Sequence, residues 1–428
     1  ARVTGSAHRI GRRELEKQEQ DDIHRILKQV PGIYVREEDG FGLRPNIGLR
    51  GANSDRSAKI TLMEDGVLLA PAPYSAPAAY YFPLTTRLAG IEVFKGPSAI
   101  RHGPNTIGGA INLVTRNVPA YGGRGQIDLG GGLRNSGKTH AWYGYGTENV
   151  GALVEGIRLV NGGFKELDSG GESGFDKSEF MLKLRFNSDH KSPVQHRLKL
   201  KLGYAIEASN EGYLGLTEDD FNANPYRRYA AGQHDRMEWE RSQAVVRYSI
   251  LWKAGFELRL AGYRNDFHRD WKKFNGFTSG NCKILDVMRD PTRTASNRGC
   301  YKILSGELEA TFDESERVAI GTNDRTYVSQ GAQLVAFWDH KAKTWENHLE
   351  IGARFHTDGI ERDHDEADYD QFLNQFYRTE EVRKTKENRG EAQAWSFHVV
   401  NALRLWKKVY LTPGVRAEII HTKLINEL

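Results

Sequence analysis

Little in this sequence marks an enzyme or a helical membrane protein. Only two cysteines, Cys282 and Cys300, occur among 428 residues. No run of 18 apolar residues is present and the mean hydropathy is −0.61, so no transmembrane helix is expected. A membrane is not thereby excluded, because barrel strands alternate lipid-facing and lumen-facing residues and average out as polar. No nucleophile elbow, no HExxH and no cysteine cluster occurs, and no argument for an enzyme survives. Charge of one sign is also lacking: 60 basic and 56 acidic residues leave +4, too balanced for a nucleic-acid binder. The two cysteines lie close together in a polar stretch. In an oxidising compartment a bridge closing a loop of that size is worth about 3 kcal/mol; two free thiols are the alternative.

What is abundant is glycine, 45 residues, with aromatics at 10%, a composition suited to a turn-rich β protein. The chain is organised around residues 91–115, IEVFKGPSAIRHGPNTIGGAINLVT. An apolar strand with Ile91 and Val93 runs into Lys95-Gly96-Pro97, and a second strand is expected from Ala110 to Val114. Four glycines and two prolines between 96 and 109 describe backbone bent around fixed points. A phosphate-cradling loop fails, because no Lys-Ser/Thr pair follows the spaced glycines. Upstream, Ile23, Ile26, Leu27 and Val30 recur at helical spacing over residues 14–30, and Pro31-Gly32 ends that helix. Short strands are expected at 46–51 and 59–69, with Asp65-Gly66 as a hairpin turn. Residues 70–83 hold four prolines and fit neither a central strand nor a helix.

Read together, ILKQVPGIYV (26–35), IGLRG (47–51), ITLMEDGVLL (60–69) and IEVFKGPSAIRHGPNTIGGAINLVTR (91–116) closely resemble the plug domain of TonB-dependent outer-membrane receptors, in the family's order and spacing. The resemblance implies a mixed α/β plug (1–120) inside an all-β transmembrane barrel (121–428). From about residue 124 the texture agrees. Phe180, Leu182, Leu184 and Phe186 alternate with Met181, Lys183 and Arg185. Ala244, Val246, Tyr248, Ile250 and Trp252 alternate with Val245, Arg247, Ser249 and Leu251, and similar runs recur near 198–206 and 349–355. Period two with charges on one face describes strands between lipid and a wet lumen. Turns at 253–255, 339–344 and 407–408 are bracketed by Trp252/Phe256, Trp338/Trp345 and Trp406/Tyr410, an expected interfacial girdle. Long polar loops are expected at 207–236, 268–300, 311–325 and 357–390. About eleven strands result, where the family closes its barrel with 22. The sequence is thus expected to be about half a barrel plus its plug, with a processed or trimmed N-terminus and the TonB box missing.

Two stretches, EGYLGLTEDDFNANPYRRYAA (211–231) and MEDGVLLAPAPYSAP (63–77), look like the ferric-dicitrate receptor branch. That resemblance implies import of an anionic ferric chelate energised by TonB. The citrates already satisfy the iron, so positive and hydrogen-bonding groups are needed rather than metal ligands. The expected ligand contacts are Arg56, Tyr74 and Tyr80 on plug apices and Arg227 and Arg228 on a loop. Arg50, Lys95 and Arg101 are the plug positions expected at the barrel wall; Lys95 stands where many relatives have arginine. Lumen-facing Lys183, Arg185, Lys199, Lys201 and Arg247 are expected to pair with plug carboxylates rather than to steer an anion. Asp363, Asp365, Asp368 and Asp370 with His364 resemble a cation loop, with His356 nearby, but lack the sixth-position glycine and closing glutamate. A solvated acidic loop is the expectation, with no resident metal or cofactor. The expected setting is a monomer among outer-membrane lipid and lipopolysaccharide. Rival readings keep the fold with another siderophore, haem or a metal complex, or make the chain a non-transporting surface receptor or adhesin, or a soluble periplasmic β protein.

Overall fold

A computed structural model describes residues 5–253, 255–307, 316–406 and 408–426, with the side chains of 380 and 381 outside that set. Residues 1–4 of the N-terminal segment, 311–315 of the expected loop, and turn residues 254 and 407 lie outside the described residues.

The first 115 residues build a five-stranded sheet in which Ser6–Gly11 forms one edge against Leu88–Lys95, followed by Ala110–Thr115, Thr61–Glu64 and Val67–Leu68. Asp65 and Gly66 both adopt positive φ, 51° and 79°, as the tightest hairpin turn requires. Gly109 cannot carry a side chain, since a Cβ there would sit 2.3 Å from the Phe94 carbonyl oxygen. The core collects Ile23, Ile26, Leu27, Ile91, Val93 and Leu113. The single helix expected over 14–30 is instead two, Arg12–Gln18 and Ile23–Leu27. Glu19 turns left-handed at φ 47°, and Asp22 caps the second helix by accepting from the His24 N–H at 2.8 Å, so capping chemistry overrides the apolar period.

Residues 116–121 lead into a twelve-stranded antiparallel sheet running in chain order from Gly122–Gly132 to Gly414–Asn426. Val409–Leu411 and Gly414–Asn426 both pair with Gln375–Leu405, so one spanning strand is interrupted at Pro413 and eleven cross the wall. Even-numbered side chains such as Val246, Leu260, Leu334 and Phe180 are exposed, while odd-numbered Met181, Lys201, Trp239 and Val245 are buried against the plug. Trp252 packs on Phe256 at 5.0 Å between ring centres, and Trp338, Trp345, Trp406 and Tyr410 are exposed at the same short-turn end.

The opposite end differs from expectation. Residues 357–390 are not a loop. They continue the strands Trp345–Phe372 and Gln375–Leu405, 28 and 31 residues long, joined at Leu373 and Asn374 in positive φ. Above the bilayer neither face meets lipid, so the apolar alternation that marks a strand disappears although the ladder persists. Likewise the strands Phe256–Phe277 and Val318–Lys341 run past the limits expected from 268 and 325, and short helices Ile284–Arg289 and Ala295–Ser305 occupy the segment between them. Cys282 and Cys300 form a disulfide across these helices. The helices, Tyr229 and Ala230 make an apolar layer with Phe274, Ile320 and Tyr369.

Candidate functional site

The site begins at a plug apex. Arg56 takes a left-handed conformation, φ 45°. Its N–H donates to Asn46 Oδ1 at 2.8 Å and its guanidinium donates to Glu38 at 2.7 Å. Its carbonyl accepts from Ala79 N–H at 2.8 Å, which fixes the proline-rich apex beside it. The guanidinium then lies 5.5 Å from the Tyr80 ring and 5.6 Å from Tyr213. Tyr213 packs on Trp271 at 4.8 Å, and Lys273 stands over both rings. Arg269 stacks on Tyr80 at 4.1 Å. Cations and aromatic faces thus alternate, each contact attractive through the ring quadrupole.

The strand ladder adds a second arrangement. Arg269 is directly opposite Arg325, and Arg325 is directly opposite Arg362, on three adjacent strands facing the lumen. Like charges directly opposite are destabilising. Arg325 meets the His364 ring nitrogen at 3.2 Å, and Arg362 meets Asn388 Oδ1 at 3.0 Å, neither of them a carboxylate. Arg269 is 0% exposed, and none of its guanidinium nitrogens meets a well-formed acceptor. Glu38 is the one carboxylate bonded to this group of cations among the described residues. Burial acts to raise the Tyr80 hydroxyl's pKa, but Arg269, Arg325 and Arg56 outweigh it and lower it below the ordinary value. A row of arginines without carboxylate partners above a plug apex has the charge and donor geometry that suit an anion with planar or oxygen-rich edges.

The other expected contacts fall elsewhere. Tyr74 belongs to a plug–barrel seam: its N–H donates to Asp358 at 2.7 Å, and its hydroxyl accepts from Arg354 at 3.0 Å. Arg227 is bound by Asp168 and Asp220, at 3.0 Å and 2.6 Å, and Arg228 by Glu211 at 3.4 Å. Both arginines are committed to ion pairs that brace the loop. The acid-rich segment is paired too, Asp363 with Lys384 at 3.0 Å, Asp368 with Arg383 at 2.7 Å and Asp370 with Arg317 at 2.8 Å.

Of the three plug positions expected at the wall, Arg101 reaches Glu350 at 3.3 Å. Lys95 turns inward to the Pro31 carbonyl at 2.6 Å. Arg50 is exposed and lies over Gly96. The principal seam was not anticipated on the plug side. Glu64 binds Arg87 at 2.7 Å and also Lys201; Asp65 binds Lys201 at 2.9 Å and Lys183 at 3.4 Å, and its carbonyl accepts from Arg247. Arg87 continues to Glu179, and Arg44 reaches Glu207 at 3.2 Å. Arg185, by contrast, bonds the Thr147 carbonyl at 2.6 Å within the wall. Burial opposes ionisation of Glu64 and Asp65, yet Arg87 and Lys201, and Lys201 and Lys183 respectively, hold both carboxyls below their ordinary values.

Comparison with known proteins agrees with this architecture. Residues 1–110 match the TonB-dependent Receptor Plug Domain family. Over 132 residues the chain is 30% identical to the vitamin B12 transporter BtuB of Vibrio vulnificus (strain CMCP6), covering 31% of this chain and 21% of that protein. The fold is similar to the unliganded ferric citrate transporter FecA, with TM-score 0.76 and 19% identity over 99% of this chain and 57% of the other. It is also similar to the siderophore receptor PiuA of Acinetobacter baumannii, with TM-score 0.72 and 12% identity over 99% and 58%. The chain spans less than two thirds of these relatives.

Proposed function

Starting from a chain whose plug and fold are those of the TonB-dependent receptors of the outer membrane, a family of receptors rather than enzymes, we propose that it serves the import of an anionic ferric chelate. We take residues 1–120 as the plug and 121–428 as the part of the barrel that encloses it here. The row Arg269–Arg325–Arg362, facing Arg56 and Tyr80, carries this reading, because only an anion relieves three opposed and unneutralised guanidinium groups. Ferric dicitrate is the preferred cargo. Its carboxylates offer paired oxygens to guanidinium forks, and the fold similarity to a ferric citrate transporter supports the choice. In this reading the chelate settles between the arginine row and the plug apex, and TonB pulls from the N-terminal side of the plug, where Ser6–Gly11 is an edge strand.

A second reading, import of a corrinoid, is favoured by the likeness to a vitamin B12 transporter. Quenching of tryptophan fluorescence in the full-length, detergent-purified receptor separates the two, with Trp271 as reporter beside Arg269. Saturable quenching by ferric dicitrate, absent with iron-free citrate and with cyanocobalamin and lost in Trp271→Phe, supports the chelate. Quenching by cyanocobalamin alone overturns it.

A further inference from the structure

The lumen wall carries another row of opposed cations, nearer the short-turn end. Arg185 is directly opposite Lys199, and Lys199 is directly opposite Arg247, on the adjacent strands Phe175–Asn187, Val194–Ser209 and Arg236–Trp252. All three face inward. The neighbouring row on the same face is Lys183, Lys201 and Val245, which meets the plug at Asp65 and Val67. Arg247 stands five residues from Trp252 of the girdle, about 16 Å along the strand at roughly 3.3 Å per residue. It is opposite Ala261, eight residues short of Arg269, so the two rows are about 26 Å apart along the wall.

Like charges directly opposite are destabilising, and no carboxylate bonds this row among the described residues. The Arg185 guanidinium donates to the Thr147 carbonyl at 2.6 Å, and that of Arg247 to the Asp65 carbonyl. Neither bond removes charge. Lys199 is exposed to the lumen and makes no hydrogen bond or ion pair among the described residues. Arg197, the next residue on that face, meets the Gln195 amide oxygen at 3.4 Å. Asp65, the plug carboxylate facing the row, is already held by Lys201 at 2.9 Å, Lys183 at 3.4 Å and the Thr115 hydroxyl. Lys183 and Lys201 thus serve the plug as counter-charges, whereas Arg185 and Lys199 do not.

The plug hairpin at Asp65-Gly66 roofs the row. The Asp65 carbonyl holds Arg247, and the Gly66 carbonyl accepts from Gln333 on the wall at 3.4 Å. An anion captured at the upper row is therefore separated from the lower one by the hairpin. Displacing the hairpin takes the Asp65 carboxylate away, which leaves Lys183 without a carboxylate partner and adds it to the patch. Cations of one sign within low-dielectric walls focus the field and concentrate anions locally. Guanidinium forks and an ammonium suit an oxygen-rich anion such as a polycarboxylate.

We propose that Arg185, Lys199, Arg247 and Arg197 form an exit site that draws the anionic cargo past the plug toward the short-turn side, separately from its capture above. The exit role rests on the reading of the cargo as an anionic chelate. The test uses the full-length receptor and has an arm that needs no cargo. In Ser249→Cys, two residues beyond Arg247 on the same face and opposite Arg197, the thiol is treated with sulfonatoethyl or trimethylammonioethyl methanethiosulfonate. Relative to a free thiol, the anionic reagent is expected to be favoured by about tenfold, and Lys199→Gln or high salt should remove most of that preference. The second arm measures ferric dicitrate in cells that make TonB. Lys199→Gln should lower uptake at saturating chelate by about tenfold, and Lys199→Glu further, while Lys199→Arg keeps the parent rate. Equilibrium quenching by the chelate and deuterium exchange of residues 61–68 should match the parent in all three. No preference for the anionic reagent, unchanged uptake in both Lys199→Gln and Lys199→Glu, or lost uptake accompanied by faster exchange of 61–68 overturns the proposal. A parent receptor that neither binds nor imports ferric dicitrate sinks the cargo reading, and the thiol arm then decides alone whether the row attracts anions.

Discussion

Arg269 and Arg325 sit directly opposite each other on neighbouring strands, both turned to the lumen, and no carboxylate separates them. In water-filled space such a pair costs little; with Arg269 fully buried it is held against its own repulsion. Folding stability and anion affinity should therefore move in opposite directions when the pair is broken. Arg269→Ala is expected to weaken chelate binding at least tenfold, about 1.4 kcal/mol, while the thermal unfolding transition stays level or rises. Fluorescence titration and calorimetric unfolding of the same preparation check both halves. A stability loss without an affinity loss would make Arg269 a packing residue.

The seam at Asp65 behaves in the contrary sense, because its charges are neutralised. Removing one partner of a buried pair leaves the other uncompensated, typically at about 3–5 kcal/mol. Asp65→Asn removes the carboxylate paired with Lys183 and leaves Lys201 to Glu64 alone, and is expected to loosen the plug, read as faster deuterium exchange of residues 61–68 with barrel migration unchanged. Lys201→Met in addition should recover part of the loss. The pH sign follows from the lowered carboxyls: with folded values below 3.8 for Asp65 and 4.5 for Glu64, their contribution is present above those values and lost as pH falls through the folded ones. Plug exchange should therefore accelerate on acidification below about pH 4.

The disulfide supports the outer loop layer and not the barrel. Cys282 and Cys300 bracket Ile284–Arg289, the whole connection at 290–294 and the first half of Ala295–Ser305. Cys282→Ser with Cys300→Ser is expected to destabilise this layer locally by about 3 kcal/mol. Deuterium exchange over 284–305 should rise while heat-modifiable migration is retained. An unchanged exchange pattern would place the stability of the layer in its apolar contacts with Phe274, Ile320 and Tyr369.

The plug and the lipid-facing strands were legible because each leaves a local signature: glycines and prolines at the turns of 91–115, and strict alternation in runs such as 180–186. The hairpin at 357–390 was not, because alternation reports a difference between two environments and above the bilayer there is none. The candidate site was half legible. Arg56 and Tyr80 stand on a recognisable apex, whereas Arg269, Arg325 and Arg362 lie 56 and 37 residues apart in sequence and meet only through strand register. No local pattern states that register. Arg227 and Arg228 illustrate the converse, loop arginines that look free in the sequence but that fold onto Asp220 and Glu211 of the same loop and onto the distant Asp168.

Asp235 provides a pH dependence opposite to that of Asp65. Burial pushes its carboxyl up to about 6, against the lowering effects of the Phe274 N–H, Arg228 and Lys273, with Glu211 adding a like charge. A folded value above the ordinary 3.8 means that the protonated form is favoured by folding. Its contribution is fully present below about pH 4 and is lost as pH rises through 6. The segment 210–235 is therefore expected to exchange deuterium more slowly at pH 5 than at pH 7.5, once the intrinsic dependence of exchange on pH is removed. Asp235→Asn keeps an acceptor for Phe274 N–H and removes the titration, so its profile should be flat and close to the parent's behaviour at pH 5. A variant that retains the parent's slope would assign the effect to His234, which packs beside Tyr369 and bonds the Phe376 carbonyl at 2.8 Å.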